Sequence, residues 1–361
     1  MPDQNAALEA LRKVMDPELR RDLVSLGMVK DLEAHGGVVS LLVELTTPAC
    51  PLKDRIGQDV RNALQGAGFE TVQLRWGAQV RGAPGVAQSQ LTPGVKNIVL
   101  VGAGKGGVGK STVAVNIGVA LARMGAKVGI LDADIYGPSV PILTGLTDRP
   151  TSRDGKKLDP LHAHGVAVMS IGFLVDPDQA LIWRGPMVTG ALIQLLRDVN
   201  WGELDYLILD LPPGTGDIPL TLAQNVRAAG VVLVSTPQDV ALADVVRAKL
   251  MFDKVSIPVL GIVENMSSFV CPHCRAETPI FAHGGASLAA QKMGIQFLGE
   301  VPIDLAIREG GDQGMPIVAS HPDSPQSQAF FTVARNVAGA VSTQVLKAPR
   351  LPVIGGAQPR A

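Results

Sequence analysis

The sequence predicts an α/β protein with a doubly wound, mostly parallel sheet, preceded by a small α+β unit. Two observations carry this. From position 95 onward, short apolar runs at 98–101, 128–131, 166–171, 206–209, 231–234 and 259–263 alternate with helical stretches. Runs without polar alternation are what strands covered on both faces look like, as in a parallel sheet flanked by helices. Second, the first run leads through a glycine-rich turn into a helical pattern, and ligands of such sheets sit at the carboxyl ends of the strands.

The elements follow in order. A helical face starts near Asn5 with Leu8, Leu11 and Val14, and 28–32 reads as a strand. Gly36-Gly37 makes a hairpin turn into the β-rich segment 38–45. Pro51 suits the first turn of a helix running to about Gly66, with Ile56, Val60 and Leu64 inward, and 71–76 is a last short strand. This makes residues 1–82 the small unit. Residues 83–94, APGVAQSQLTPG, are small, polar and Pro/Gly-containing, hence a linker. The parallel-sheet unit spans 95–348 and closes on a helix near 325–346, with Phe330, Val333, Val337, Val341 and Val345 at helical spacing; 349–361 reads as a loose tail.

Composition narrows the class. The chain has 361 residues, 46% hydrophobic and 18% charged, which excludes a largely disordered chain. A formal net charge of −1 supplies no global basic field, so neither nucleic acid nor a membrane surface is an expected partner. Three cysteines are too few for a disulfide framework and fit a reducing compartment. The first residues lack a secretory apolar segment, and no run approaches the ~20 residues of a membrane helix. The expected location is the cytoplasm.

Gly104-Lys105-Gly106-Gly107-Val108-Gly109-Lys110-Ser111 matches G-x-x-x-x-G-K-[ST] in full, between a strand and a helix with Val113, Ile117 and Leu121 inward. Glycines let backbone N–H groups converge on phosphate oxygens, and the helix N-terminus adds positive potential. Lys110 is expected on the terminal phosphates and Ser111 on Mg²⁺. A dinucleotide fold is the rival, since Gly102-x-Gly104-x-x-Gly107 also fits its fingerprint and Asp132 ends the next strand, but that leaves Lys110-Ser111 without a task. The apolar run 206–209 ends in Asp210, the Walker B form that holds Mg²⁺ directly or through water, and the following loop, with Asp217, has γ-phosphate-sensing character. Asp132 and Asp134 end another strand; Asp134, further into the loop, is the candidate to orient the attacking water. After 259–263 comes Glu264-Asn265-Met266-Ser267 without the Lys and Asp of a guanine site, so ATP is favoured, with Asn265 on the purine edge.

Lys105 through Thr112 resembles the deviant Walker A of the ParA/MinD class, which carries an extra lysine near the start of the loop. Within that class the chain resembles the Mrp/ApbC iron–sulfur cluster carrier family, in LDADIYGPS (131–139), WRGPM (183–187), LDLPPGTGD (209–217), STPQDVALADV (235–245) and ENMSSFVCPHC (264–274). Asp16-Pro17-Glu18, SLGMV (25–29) and LTTPACP (45–51) resemble the small iron–sulfur assembly-type domain fused in front of bacterial members. The resemblance implies that Lys105 crosses a dimer interface to the partner's nucleotide.

Cys271-Pro272-His273-Cys274 puts two thiolates at C-x-x-C spacing. A tetrahedral zinc or a 4Fe–4S cluster needs four protein ligands, and a symmetric dimer supplies two plus two. The resemblance favours the cluster over zinc. Dithiol redox chemistry is a further rival, but that motif belongs early in a thioredoxin fold. Cys50 precedes a helix whose N-terminus is expected to lower its pKa; it reads either as a thiol that handles iron–sulfur material or as a small buried hydrophobe. The expected function is an ATP-hydrolysing homodimer that carries a 4Fe–4S cluster from assembly proteins to apo iron–sulfur proteins. The alternative is a positioning or partition ATPase, which leaves Cys271 and Cys274 without a role.

Overall fold

The computed structural model of the chain describes residues 2–82, 91–153, 155–175, 185–214, 216, 225–271, 273–274 and 276–347. The first part holds α1 (Gln4–Leu11), the short antiparallel pair β1 (Met15–Asp16) and β2 (Arg21–Asp22), β3 (Val29–His35), β4 (Val38–Leu45), α2 (Lys53–Gly66) and β5 (Thr71–Ala78). β3 and β4 pair antiparallel and β4 and β5 parallel, with α2 as the crossover. The inward face of α2, Ile56, Val60 and Leu64, packs with Leu11, Val39, Leu41 and Val43 in one buried cluster. α2 starts two residues after Pro51 rather than at it.

The second part is the parallel sheet. Its strands are β6 (Val95–Gly102), β7 (Val128–Asp132), β8 (Leu161–Ala163), β9 (Val166–Ser170), β10 (Leu204–Asp210), β11 (Gly230–Ser235), β12 (Val259–Val270), β13 (Glu277–Thr278) and β14 (Phe297–Ile303). The spatial order is β13-β12-β11-β6-β10-β7-β9-β8, with β14 also on β12. Pairings are parallel except at β8 and β13. β7, β9 and β11 are buried at every position, which is why they read as unbroken apolar runs. The helices are α3 (Lys110–Arg123), α4 (Val140–Thr144), α5 (Gly185–Arg197), α6 (Asp239–Lys254), α7 (Gly285–Met293), α8 (Leu305–Asp312), α9 (Ile317–Ser320) and α10 (Pro325–Lys347). α10 buries Phe330, Val333, Val337 and Val341 as their spacing requires. Among the described residues no helix is long and apolar enough to cross a membrane.

The two parts meet below β10. Thr47 and Ala49 are buried there, and the Tyr206 hydroxyl, itself buried, donates to Thr47 Oγ1 at 3.1 Å. β12 runs well past the expected 263: Met266 takes φ +57, the register to β14 shifts between Asn265 and Phe269, and the strand continues to Val270. That continuation carries the cysteine pair to the end of a β12–β13 hairpin, far along the strand from its buried start.

Candidate functional site: a phosphate cleft and a thiol pair

The turn between β6 and α3 is held from two sides. Gly107 and Gly109 have φ +80 and +78, conformations that glycine adopts without a Cβ clash. A Cβ on Gly104 would lie 2.4 Å from the carbonyl carbon of Asp244 on α6, and one on Gly109 2.2 Å from Asn265 Nδ2. Asn265, on β12, donates from Nδ2 to the Val108 carbonyl at 2.9 Å. Gly104 is therefore required by the approach of the α6 backbone and Gly109 by its positive φ beside Asn265, and the loop is braced from two sides.

Four ionisable groups gather at the carboxyl ends of β7 and β10. Asp210 is fully buried, and Lys110 Nζ donates to its Oδ1 at 2.5 Å and to Ser111 Oγ at 3.1 Å. Asp210 Oδ2 is buried with no hydrogen-bond partner among the described residues. A buried carboxylate oxygen without a donor is costly alone, and a hard cation or its water supplies what is missing. Ser111 Oγ and Asp210 Oδ2 thus fit Mg²⁺. Burial raises the Asp210 carboxyl, with Lys110 opposing. Asp132 is its direct cross-strand partner and is also raised, first by burial and then by Asp210. Its oxygens accept from the Asp134 and Val140 backbone N–H groups and the Ser170 hydroxyl, each at 3.1 Å. Asp132 therefore shapes the 133–140 loop, and Asp134, half-buried and raised by burial, is the carboxylate that faces the cleft.

The cleft has a volume of about 360 Å³ and is lined by Lys105, Lys110, Ser111, Asp134, Ser139 and Pro213 among others. Lys105 makes no ion pair among the described residues. An apolar pocket of about 520 Å³ adjoins it, sharing Gly109 and Thr112 and lined further by Asn265, Met266, Phe269 and Ile303. The pair of cavities has the form a nucleotide needs: a charged end on the glycine-rich turn and a mostly apolar end with Asn265 in its lining and charged residues of 304–312 beside it. The apolar end was not legible in the sequence beyond Asn265, because the segment 302–312 that walls it carries no motif.

Cys271 follows the last residue of β12, and its N–H donates to the Ala276 carbonyl at 3.0 Å, closing the hairpin. Cys271 is half-exposed and Cys274 exposed. The backbone N–H of Cys274, then that of His273, and the Cys274 thiol all hydrogen-bond the Cys271 sulfur and hold its pKa below the ordinary thiol value. Among the described residues no third Cys, His, Asp or Glu ligand atom gathers with the pair. The one such trio, Glu264, His283 and Glu300, lies elsewhere: Glu264 accepts from the N–H groups of Gly284 and Ala286 at the start of α7, and His283 pairs with Glu300. The thiol pair therefore offers two ligands and leaves a four-coordinate centre half built.

The expectation for Cys50 is corrected. The Leu52 N–H does favour the thiolate, as a helix start would, but burial outweighs it and pushes the thiol up to about 11. Cys50 is half-buried and packs against the apolar cluster of the first part, which suits the reading as a small hydrophobe. Asp217 lies outside the described residues, as do part of the 83–94 linker, Trp183 and Arg184 of WRGPM, Pro272 and the tail.

Comparisons with known proteins bear on both sites. Residues 94–338 match the family described as NUBPL iron-transfer P-loop NTPase, and residues 4–73 the family described as iron-sulfur cluster assembly protein. The iron-sulfur cluster carrier protein of Deinococcus radiodurans is 52% identical, covering 97% of this chain and 99% of its own. Among solved structures, a nucleotide-binding protein from Archaeoglobus fulgidus in complex with ADP, with cobalt found, is 42% identical at TM-score 0.57, covering 66% of this chain and 92% of its own. The cell division ATPase MinD of Pyrococcus furiosus, 22% identical at TM-score 0.51, covers 67% and 98% and shares the fold.

Proposed function

The chain belongs to the iron-transfer P-loop NTPase family of iron–sulfur cluster carriers, and from that premise we propose that it hydrolyses ATP and, as a homodimer, carries a 4Fe–4S cluster held by Cys271 and Cys274 of both copies to apo-proteins. One observation carries this reading: a braced phosphate cleft occurs in the same chain as a solvent-accessible thiol pair that no third ligand joins among the described residues. Two thiolates are half the shell of a cluster, and a two-fold axis beside the hairpin completes it with the same two from the partner.

In this reading ATP lies with its phosphates on Gly104–Thr112 and its base in the apolar pocket, where Asn265 edges the purine while its amide holds the Val108 carbonyl. Lys110 exchanges its bond to Asp210 for the terminal phosphates. Mg²⁺, when bound between Ser111 and Asp210, neutralises charge on the phosphate oxygens. Asp134 orients the attacking water at the cleft, and Lys105, without an ion pair of its own among the described residues, reaches the nucleotide of the other copy. Asp217 acts as the γ-phosphate sensor. Residues 1–82 form the assembly-type unit, joined by the 83–94 linker to the 95–348 ATPase, with 349–361 as a tail. Three free thiols suit the cytoplasm.

Anaerobic reconstitution with iron and sulfide tests the central claim. About four irons per two chains and broad visible absorption are expected, with the mass of a dimer. Reduced protein that takes up no iron under these conditions overturns the carrier reading and leaves a nucleotide switch.

A further inference from the structure

The charged cleft and the apolar pocket share part of their lining. Gly109 and Thr112 of the phosphate loop and α3 contribute one part of it; Leu143 of α4 and Gly311 of α8, taken here as the roof, contribute another. A Cβ on Gly311 would lie 3.1 Å from Leu143 Cδ2, so the two helices touch along this seam. Their origins differ. α4 follows directly on the loop that carries Asp134, while α8 follows β14 at the far side of the sheet.

Behind the seam the chain ends of both helices converge. Gly145 follows α4 with φ +69 and Gly314 lies just past α8 with φ +71, and a Cβ on Gly314 would sit 2.2 Å from Gly145 Cα. Such an approach admits glycine alone. Into this junction points His164, from the turn between β8 and β9. Its Nε2 lies 3.2 Å from the Thr144 carbonyl and 2.9 Å from the Gly314 carbonyl. Both partners are acceptors, so the proton sits on Nε2 and is shared between them. Thr144 ends α4, and its carbonyl is one of those a helix leaves unpaired. His164 is thus a single donor from a third segment that ties the end of α4 to the end of α8. No role described above uses it.

We propose that His164 is a positioning residue for nucleotide binding: its Nε2–H bonds to the Thr144 and Gly314 carbonyls hold the roof closed over the nucleotide and keep the Asp134 loop in place. The inference rests on the reading of the cleft as the nucleotide site. Without the donor, two carbonyls lose their partner and α4 parts from α8 more readily. Bound nucleotide then leaves faster, while the groups that act on the phosphates are unchanged.

The test measures ADP affinity by calorimetry, and KM and kcat for ATP, on the full chain. His164→Ala is expected to raise Kd and KM roughly tenfold, the effect of about one lost hydrogen bond to a buried group, with kcat within about threefold of wild type. His164→Gln places an amide N–H near the position of Nε2 and is expected to recover most of the affinity. His164→Phe fills the space without a donor and is expected to behave as the alanine variant. Wild-type affinity in a folded alanine or phenylalanine variant overturns the inference, as does a glutamine variant as weak as alanine. If the alanine variant does not fold, phenylalanine against glutamine decides. Lys110→Ala run alongside separates the two levels: if it binds ADP and hydrolyses ATP as wild type does, the cleft reading fails. If it loses both while His164→Ala keeps both, only the His164 inference falls.

Discussion

The phosphate cleft and the cysteine hairpin lie at opposite extremes of preorganisation. In the cleft most functional side chains are braced by neighbours: Lys110 holds Asp210 Oδ1, Asn265 holds the Val108 carbonyl, and Asp132 holds the loop that presents Asp134, with Asp210 Oδ2 left without a partner among the described residues. The hairpin offers two sulfurs, half-exposed at Cys271 and exposed at Cys274, and the Cys271 sulfur is held by backbone N–H groups of its own turn and by the Cys274 thiol. A nucleotide is bound by contacts that one chain can complete, so rigidity there lowers the cost of binding. A shared cluster must be met by ligands from elsewhere and released again, so its ligands stand at an edge. Cys50 sharpens the contrast, being a half-buried thiol of the same chain that packs against an apolar cluster and is pushed up to about 11.

The largest effect expected is at the hairpin. Cys271→Ala or Cys274→Ala should reduce reconstituted iron to background, while nucleotide affinity and melting temperature stay within error, since exposed substitutions rarely move stability beyond about 0.5 kcal/mol. An iron content unchanged in either variant breaks the comparison at its exposed end. Next comes Lys110→Ala, expected to weaken ATP or ADP binding at least about 100-fold through loss of charge-assisted bonds to phosphate. Calorimetry checks it, with a thermal melt to confirm folding, because Asp210 then stays buried without its partner.

A smaller effect separates the thiols by pH. Iodoacetamide reacts with the thiolate, and at pH 8 a thiol at about 11 is ionised to roughly one part in 1000, whereas Cys271 lies below its ordinary value. Mass spectrometry of the labelled chain should show Cys271 modified at least about tenfold faster than Cys50. The Cys50 rate should rise about tenfold per pH unit toward 11, because deprotonation limits it. Equal rates at pH 8 would mean that packing against the first part's apolar cluster does not hold the Cys50 thiol protonated. The smallest effect tests how that part is seated. Tyr206→Phe removes the hydroxyl that meets Thr47 and should cost about 1 kcal/mol in denaturant melts, with nucleotide affinity unchanged.

The sheet and the phosphate loop were legible in the amino-acid sequence. Strands buried on both faces must be apolar throughout, and a turn that wraps phosphate must be glycine-rich with Lys110 at its end, so both write themselves into local pattern. The thiol spacing was legible for the same reason. Polar residues whose partners are distant acquired their roles in the folded chain alone. Glu264, Asn265 and Ser267 look like the end of a strand, yet β12 continues through them because they bond to the Ala286 and Gly284 N–H groups, the Val108 carbonyl and the Val301 carbonyl. Cys50 precedes a helix, as read, but the packing around it overrode that local field. His164 carries no motif, and its place between Thr144 and Gly314 arises only when segments 150 residues apart in the chain are folded together. Local pattern records what a residue needs from its own segment; a hydrogen bond across the fold leaves no period, because its partner's position is set by packing.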